Sequence, residues 1–294
     1  MMHPMGSSSA AAVTARPVPV RRIRFAYDTD AGGKHFMDGD LVMSHVIAIL
    51  SSTFPSGEDF FVRSVRNLRD EIDDPELRRQ VGGFIGQEAI HGREHRVLNE
   101  RLADLGYPTR GIDRLVGWSL RVRERISTKR ACLALTAALE HYTATMAYVL
   151  LTNADARDMI TDPEIRNLLL WHALEESEHK SVAFDVYKAV GGGERLRTIT
   201  MTLTTVFGAV ALVVSTAISL ARDRAAWNLP RLARSVARLR RSPWLRRDVR
   251  RHVLDYNRAD FHPDDHDIAD VVAAWRQELF GSEGTLVDRL PTPA

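Results

Sequence analysis

One cysteine in 294 residues, Cys132, leaves no partner for an intrachain disulfide and no cluster for a cysteine-rich zinc site. It fits a reducing cytoplasm and reads as a small buried apolar side chain. An excess of one charge is missing too: 40 basic residues against 38 acidic ones leave a net charge of +2, too little to argue for a nucleic-acid partner. The first 22 residues, MMHPMGSSSAAAVTARPVPVRR, hold no apolar run of signal-peptide length, so export by that route is not expected. Residues 1–20 read instead as a disordered lead-in. No stretch alternates β-branched and polar residues, which argues against a sheet. What remains is 45% hydrophobic and 27% charged, the balance of a folded chain.

Helical periodicity fills the sequence after residue 38, cut by glycine, proline and capping residues. A first helix is expected over 39–53, stopping before Pro55, and Ser56 is placed to cap a second over 57–73. Asp74-Pro75-Glu76 restarts the chain into a long helix that runs to Leu105, where Gly106 and Pro108 end it. A shorter helix near 111–125 and another over 128–152 follow. Asp162-Pro163-Glu164 repeats the cap-and-proline signature and opens a helix expected to reach Val190, ahead of three glycines. The fold class is therefore all-α.

Residues 193–222 read as one long apolar helix, and 223–294 as a basic helical C-terminal region. The run TITMTLTTVFGAVALVVSTAISLA, 198–221, is uncharged over 24 positions. As a helix it is about 36 Å long, enough for a hydrocarbon layer of about 30 Å. Two features argue against a simple span. Eight of the 24 residues are Ser or Thr, and residues 222–251 carry eleven arginines against two aspartates. The positive-inside rule would then leave the rest of the chain outside. Two readings stand. The helix lies on or dips into a membrane with the basic stretch on anionic headgroups, or it is a core helix followed by a solvated arginine-rich one. The first implies a cytoplasmic protein held peripherally or monotopically at the inner membrane.

The chemistry is concentrated in two segments. In WHALEESEHKSVAFDVY, His172, Glu176 and His179 are spaced four and three, so they share one helix face. In GFIGQEAIHGREHRVL, Glu88, His91 and His95 are spaced three and four and do the same. Each segment thus holds a Glu-x-x-His, whose carboxylate and imidazole can bind one metal ion together. Two further carboxylates stand in apolar company: Glu58 near a helix start in FPSGEDFFVRS, and Glu140 in ALTAALEHYTATMAYVLL. The order Glu, Glu-x-x-His, Glu, Glu-x-x-His on four helices is that of ferritin-like dinuclear carboxylate bundles. Two divalent ions a few ångströms apart need bridging carboxylates to offset their charge, whereas the same groups buried without metal are costly. The expected fold is a ferritin-like four-helix bundle over residues 21–192 with extra C-terminal helices.

Neighbouring groups carry weaker signals. Glu175 and Glu178 fall on other faces and read as solvated or paired, with Glu175 the substitute for Glu176 if the register is shifted. His172 is a seventh ligand or a donor behind the ligands, and His95, in the mirror position, has the same options or serves as a proton shuttle. His141 reads as a surface or core histidine, and Asp185 as a surface aspartate with the option of orienting an imidazole. FHPDDHD, with His262, Asp264, Asp265, His266 and Asp267, reads as a capped loop opening the last helix rather than a metal site.

The segments FPSGEDFF, QEAIHGREH, LEHYTA and WHALEESEHKSVAFDVY resemble bacterial proteins known as predicted metal-dependent hydrolases, over about residues 20–280. The ligand pattern is also similar to that of di-iron arylamine N-oxygenases such as p-aminobenzoate N-oxygenase, in which a third histidine precedes the last Glu-x-x-His by one turn. That likeness implies Glu58, Glu88, His91, Glu140, His172, Glu176 and His179 as metal ligands and leaves His95 without a counterpart. The leading reading is a di-iron oxidoreductase that activates O2 to oxidise a small apolar or lipid-like substrate near a membrane, fed by a redox partner. A two-metal hydrolase, with manganese or zinc in place of iron, and a non-enzymatic iron or oxidant handler stand beside it. A homodimer is left open.

Overall fold

Two aspartates start the long helices. Asp74 accepts from the backbone N–H groups of Glu76 and Leu77, and Asp162 from those of Glu164 and Ile165. In both, the intervening proline sits in the first turn, where its missing N–H has no intrahelical partner to lose. The computed structural model describes residues 16–27 and 33–291, among which there are helices and short 3-10 turns but no strand. In chain order the helices are α1 (Leu41–Ser51), α2 (Phe54–Arg66), α3 (Pro75–Asp104), α4 (Thr109–Ile126), α5 (Lys129–Thr152), α6 (Ala154–Asp158), α7 (Pro163–His179), α8 (Val182–Ala189), α9 (Glu194–Ala221), α10 (Leu229–Leu239), α11 (Arg247–Asp255) and α12 (Ala269–Phe280). The all-α expectation is met.

Boundaries differ in three places, one of them the end of α2, which falls at Arg66 rather than at residue 73 and is followed by a 3-10 turn at Arg69–Glu71. Helix α2 begins at Phe54, with Pro55 in its first turn. Ser56 is therefore already helical, and its hydroxyl donates to Asp113 of α4 rather than capping. The segment from Pro163 does not run unbroken to Val190: a turn at Lys180-Ser181 separates α7 from α8. Both residues keep right-handed helical dihedrals, so the chain path bends without reversing.

Helices α2, α3, α5 and α7 pack against one another, and their apolar residues form two cores on either side of a polar belt. Helix α3 gives Val81 and Phe84 to one core and Leu98 and Leu102 to the other. Helix α5 gives Leu133 and Ala134 to the first and Leu150 and Leu151 to the second. Trp171 and Leu174 of α7 lie in the second core, and Val182 and Tyr187 of α8 in the first. Each fully buried side chain of this size contributes roughly 1.5–3 kcal/mol, so apolar packing on both sides offsets the belt between them. Glu88, Glu140 and Glu176 fall in that belt by sequence position alone.

The lead-in expected over 1–20 lies, for residues 1–15, outside the described residues. Val18 and Val20 lie in irregular chain against α3, where Gly83 and Gly86 make room. A Cβ at Gly83 would stand 2.4 Å from the Val18 carbonyl oxygen, and one at Gly86 2.5 Å from Val20 Cγ2. This close approach brings Arg21 to α7.

Of the two readings of 198–221, the core helix is the one that does not fit. Helix α9 is long and apolar enough to cross a membrane, yet only 11% of its most apolar window is buried. Its ends are held. Arg197, fully buried, donates to the Tyr256 and Arg258 carbonyls, and Ser219 meets His45 Nδ1 at 2.7 Å. Helix α10 leans on α1, with Ser235 Oγ accepting from the backbone of Val42 and donating to Asp40.

Candidate metal centre

The four packed helices bring Glu58 (α2), Glu88 and His91 (α3), Glu140 (α5) and His172, Glu176 and His179 (α7) to one place, none more than 4% exposed. His172 Nε2 lies 2.9 Å from Glu176 Oε1 and 3.6 Å from Glu58 Oε1. His91 Nδ1 lies 3.6 Å from Glu176 Oε1 and 3.8 Å from Glu88 Oε1. On the other side, His179 Nε2 lies 3.0 Å from Glu88 Oε1, 3.4 Å from Glu140 Oε2 and 3.5 Å from Glu176 Oε2. Glu88 and Glu176 thus stand between two half-sites. Glu58, His91 and His172 line one, and Glu140 and His179 line the other.

Most of the inward-facing atoms lack hydrogen-bond partners. Both oxygens of Glu58, Glu88 and Glu140, together with His91 Nδ1 and His179 Nε2, are buried and unsatisfied. Each such atom costs about 1–3 kcal/mol, more where it is charged. His179 Nε2 and Glu88 Oε1 are close enough to bond but misaligned for it. Carboxylate oxygens and imidazole nitrogens aimed into a shared dry space are the donors a divalent cation takes, so the residues present fit metal.

Electrostatics carry the same mark. Burial, then the charges of Glu140 and Glu176, holds Glu88 well above the usual carboxylate range. Burial, followed by Glu88 and Glu176, does the same to Glu58. Burial and Glu176 push Glu140 up to about 7. Glu176 goes the other way: despite its burial, His179 and His172 hold it well below its ordinary value. His179 is raised in spite of burial by Glu176 and Glu140, whereas burial and the neighbouring His172 keep His91 neutral. Four carboxylates this close cannot all ionise without cations among them.

Behind the inward faces, each imidazole is held by its second nitrogen. His91 Nε2 meets Glu175 Oε2 at 3.0 Å, and His179 Nδ1 meets Gln87 Oε1 at 2.8 Å. His172 Nδ1 meets His95 Nε2 at 2.8 Å, and His95 Nδ1 meets Ser51 Oγ at 2.9 Å. The direction of this chain follows from its far end. Asn99 Nδ2 donates to the Ser51 carbonyl, so its Oδ1 is free to accept the Ser51 hydroxyl proton at 2.8 Å. Ser51 Oγ must then accept from His95 Nδ1–H. Burial keeps His95 neutral, so its Nε2 accepts from His172 Nδ1–H. The chain thus engages His172 Nδ1 and leaves Nε2 as the nitrogen that faces Glu58 and Glu176.

Glu175 and Glu178 are not solvated, because the N-terminal segment covers them. Arg21 lies 2.9 Å from Glu175 and 2.8 Å from Glu178, and Glu178 also takes Arg276 at 2.8 Å and Gln87 at 3.1 Å. Burial pushes Glu175 up to about 8 against the pull of Arg21. The Thr143 hydroxyl donates to Glu176. Gln87, Thr143, Ser51 and Asn99 escape a search for ligands, and Glu175, the substitute ligand in the sequence reading, instead backs His91. The available signal for Thr143 and Gln87 is their spacing, one turn after Glu140 and one turn before His91.

The remaining candidates lie elsewhere. His141 is buried and meets the His252 carbonyl at 2.9 Å. Asp185 faces His262, not an imidazole of the cluster, and His262 caps the 3-10 turn at Pro263–Asp265. His35, His45 and Asp223 also cluster, but Lys34 Nζ occupies the same Asp223 oxygen at 3.1 Å, as an ion-pair latch requires.

No curated protein and no solved structure matches the chain. A family model described as predicted metal-dependent hydrolase matches residues 19–267, which contain every residue of the buried Glu and His cluster. The chain belongs to that family.

Proposed function

We propose that the cluster is the dinuclear metal centre of a hydrolase, set in a ferritin-like four-helix arrangement of α2, α3, α5 and α7. One ion would be held by Glu58, His91 and His172, the other by Glu140 and His179, with Glu88 and Glu176 shared. The observation that carries this reading is the convergence of eight unsatisfied buried donor atoms from four helices. Bound divalent ions supply Lewis acidity and a water acidic enough to ionise near neutral pH. The family description supports hydrolysis as the use of that water.

The chain's own groups have separable tasks. Glu175, Gln87 and His95 fix which nitrogen of His91, His179 and His172 is free to bind. Thr143 holds Glu176. Phe54, whose ring centroid lies 4.5 Å from that of His95 and 4.9 Å from that of His172, keeps water from this edge of the site. Both His95 nitrogens are engaged, which suits a positioning residue better than a proton shuttle.

A second reading is favoured by the donor set itself. Four carboxylates and three imidazoles, with no thiolate, suit iron or manganese and oxidative chemistry with O2. Metal content, absorption spectrum and turnover together separate the two. Two ions per chain, cleavage of an activated ester and no O2 uptake after iron loading support the hydrolase. An oxygen-restored near-ultraviolet band with O2 consumption supports the oxidase. Fewer than one ion per chain after reconstitution with zinc, manganese or iron would overturn both.

A further inference from the structure

Helix α9 exposes an unbroken apolar stripe. Ile199, Leu203, Val206, Phe207, Val210, Val213, Val214 and Ile218 recur at three- and four-residue spacing, and each is 47–68% exposed. From first to last the stripe runs about 28 Å. Between Val206 and Ala211 every residue is exposed, so the middle of the helix stands clear of the described body. A soluble surface rarely leaves so much contiguous apolar area to water, and a stripe of this extent marks an interaction site.

The two ends of α9 restrict what the stripe can do. At the N-terminal end, Arg197 is tied to the carbonyls of Tyr256 and Arg258. At the C-terminal end, Ser219 is tied to His45, and Asp223, two residues past the helix, is tied to Lys34, His35 and His45. A helix crossing a bilayer separates its ends to opposite sides, whereas both ends of α9 are fastened to one body. The stripe can only be buried lying flat.

The segment after α9 supplies the complementary charge. Ten of the eleven arginines in 222–251 are exposed, and Asp223, one of the two aspartates there, is buried. Trp227 and Leu229, 70% and 71% exposed, sit where the apolar helix gives way to this basic stretch. An indole beside an apolar face and a dense cationic segment is the composition of a helix at the headgroup boundary. A second copy paired stripe-to-stripe in parallel would bring two arginine-rich segments together, and one paired antiparallel would leave these arginines without a negative partner from either stripe.

We propose that α9 and the arginines of 222–251 form a docking surface for an anionic lipid bilayer, with α9 lying in the plane of the interface. The stripe enters the acyl boundary, and the arginines meet lipid phosphates. The proposal is independent of the chemistry at the metal centre.

The test uses the full chain and vesicles of phosphatidylcholine with or without phosphatidylglycerol. Flotation with the anionic vesicles is expected, falling at least tenfold on neutral ones and at high salt, because surface charges are screened. Phe207→Glu with Val210→Glu, at exposed positions, should reduce anionic-vesicle binding at least tenfold with unchanged circular dichroism and metal content. Arg234→Glu with Arg238→Glu should do the same. Release of the bound protein by alkaline carbonate supports the in-plane geometry. Carbonate resistance would overturn it, and equal flotation on neutral vesicles would overturn the role of the arginines. A lipid-free dimer in sedimentation, lost in the Phe207 and Val210 variant and failing to bind vesicles, would assign the stripe to a second copy instead.

Discussion

Oε2 of Glu175 lies 3.0 Å from Nε2 of His91, while Glu176, its neighbour in sequence, faces the opposite ring nitrogen, His91 Nδ1, at 3.6 Å. Two adjacent carboxylates on α7 thus grip one imidazole from two directions. The first fixes the ring, and the second shares the space the ring faces. Groups that orient a metal-bound histidine typically contribute 10–100-fold to metal affinity. Glu175→Ala is therefore expected to weaken binding of the divalent ion by roughly that factor. Glu175→Gln, whose amide oxygen still accepts from Nε2–H, should lose only a few-fold. Competitive titration with a chelating dye measures both, and equal affinities for the two variants would remove Glu175 from this role.

The legibility of these positions differs for a physical reason. Glu88, His91, His172, Glu176 and His179 follow from helical spacing, because residues three and four apart share a face whatever the tertiary structure. Asp74 and Asp162 are readable because a cap is a local contact with the next two or three residues. Glu175 is not readable, since its burial depends on Arg21, 154 positions away in an irregular segment with no periodicity. The exposure of α9 is equally hidden. Hydropathy measures what a helix prefers to touch, and an apolar helix reads alike in a core or on a membrane. Arg197 is the counterexample within α9, a charged residue that is fully buried because two carbonyls and Glu194 take its guanidinium.

Removing metal should expose the cost of the belt. Without cations, Glu58, Glu88, Glu140 and Glu176 oppose one another in a dry space. Glu88→Gln replaces, at nearly constant volume, a carboxyl that must take up a proton or oppose its neighbours when it is buried without metal, so the metal-free variant should melt higher than the metal-free wild type. The order should invert on adding metal. At a free ion concentration 100-fold above Kd, the wild type gains about 2.7 kcal/mol per ion, worth roughly 4–5 °C for a chain of this size. The variant should gain less than half of that. Calorimetry with and without chelator reads both comparisons, and a metal-free variant less stable than metal-free wild type would contradict the electrostatic account.

Acid should loosen the C-terminal region. The His252 and His266 rings stack with centroids 3.4 Å apart, and the His141 ring lies 6.0 Å from that of His252. Burial, then the charges of His266 and His141, holds His252 down to about 3 from its usual 6.5. Lys180 lowers it further, and Asp248 opposes the shift only weakly. In the unfolded chain His252 takes its proton first. The stability it contributes is therefore complete above pH 6.5 and shrinks as pH falls toward 3. Cleavage by an acid-tolerant protease within 238–255 should accelerate between pH 7 and pH 4.5, and His252→Phe should flatten that dependence. A pH-independent cleavage rate in the wild type would contradict this.

The last expectation separates positioning from proton transfer at His95. The chain His172–His95–Ser51–Asn99 keeps His172 Nε2 as the nitrogen turned to the site only if the residue at position 95 accepts from Nδ1–H. Glutamine does so through its carbonyl oxygen while its amide donates to Ser51, so His95→Gln preserves both contacts without a titratable group. Leucine preserves neither and leaves the buried Nδ1–H of His172 without a partner. If His95 positions, His95→Leu loses roughly 10–100-fold in metal affinity and His95→Gln stays within a few-fold, with turnover following metal occupancy in each. If His95 shuttles protons, His95→Gln keeps its metal and loses turnover, together with one limb of the pH–rate profile. Metal titration and a pH–rate profile on the same preparations decide between the two, because hydrogen-bonding ability and titration are the properties that glutamine uncouples.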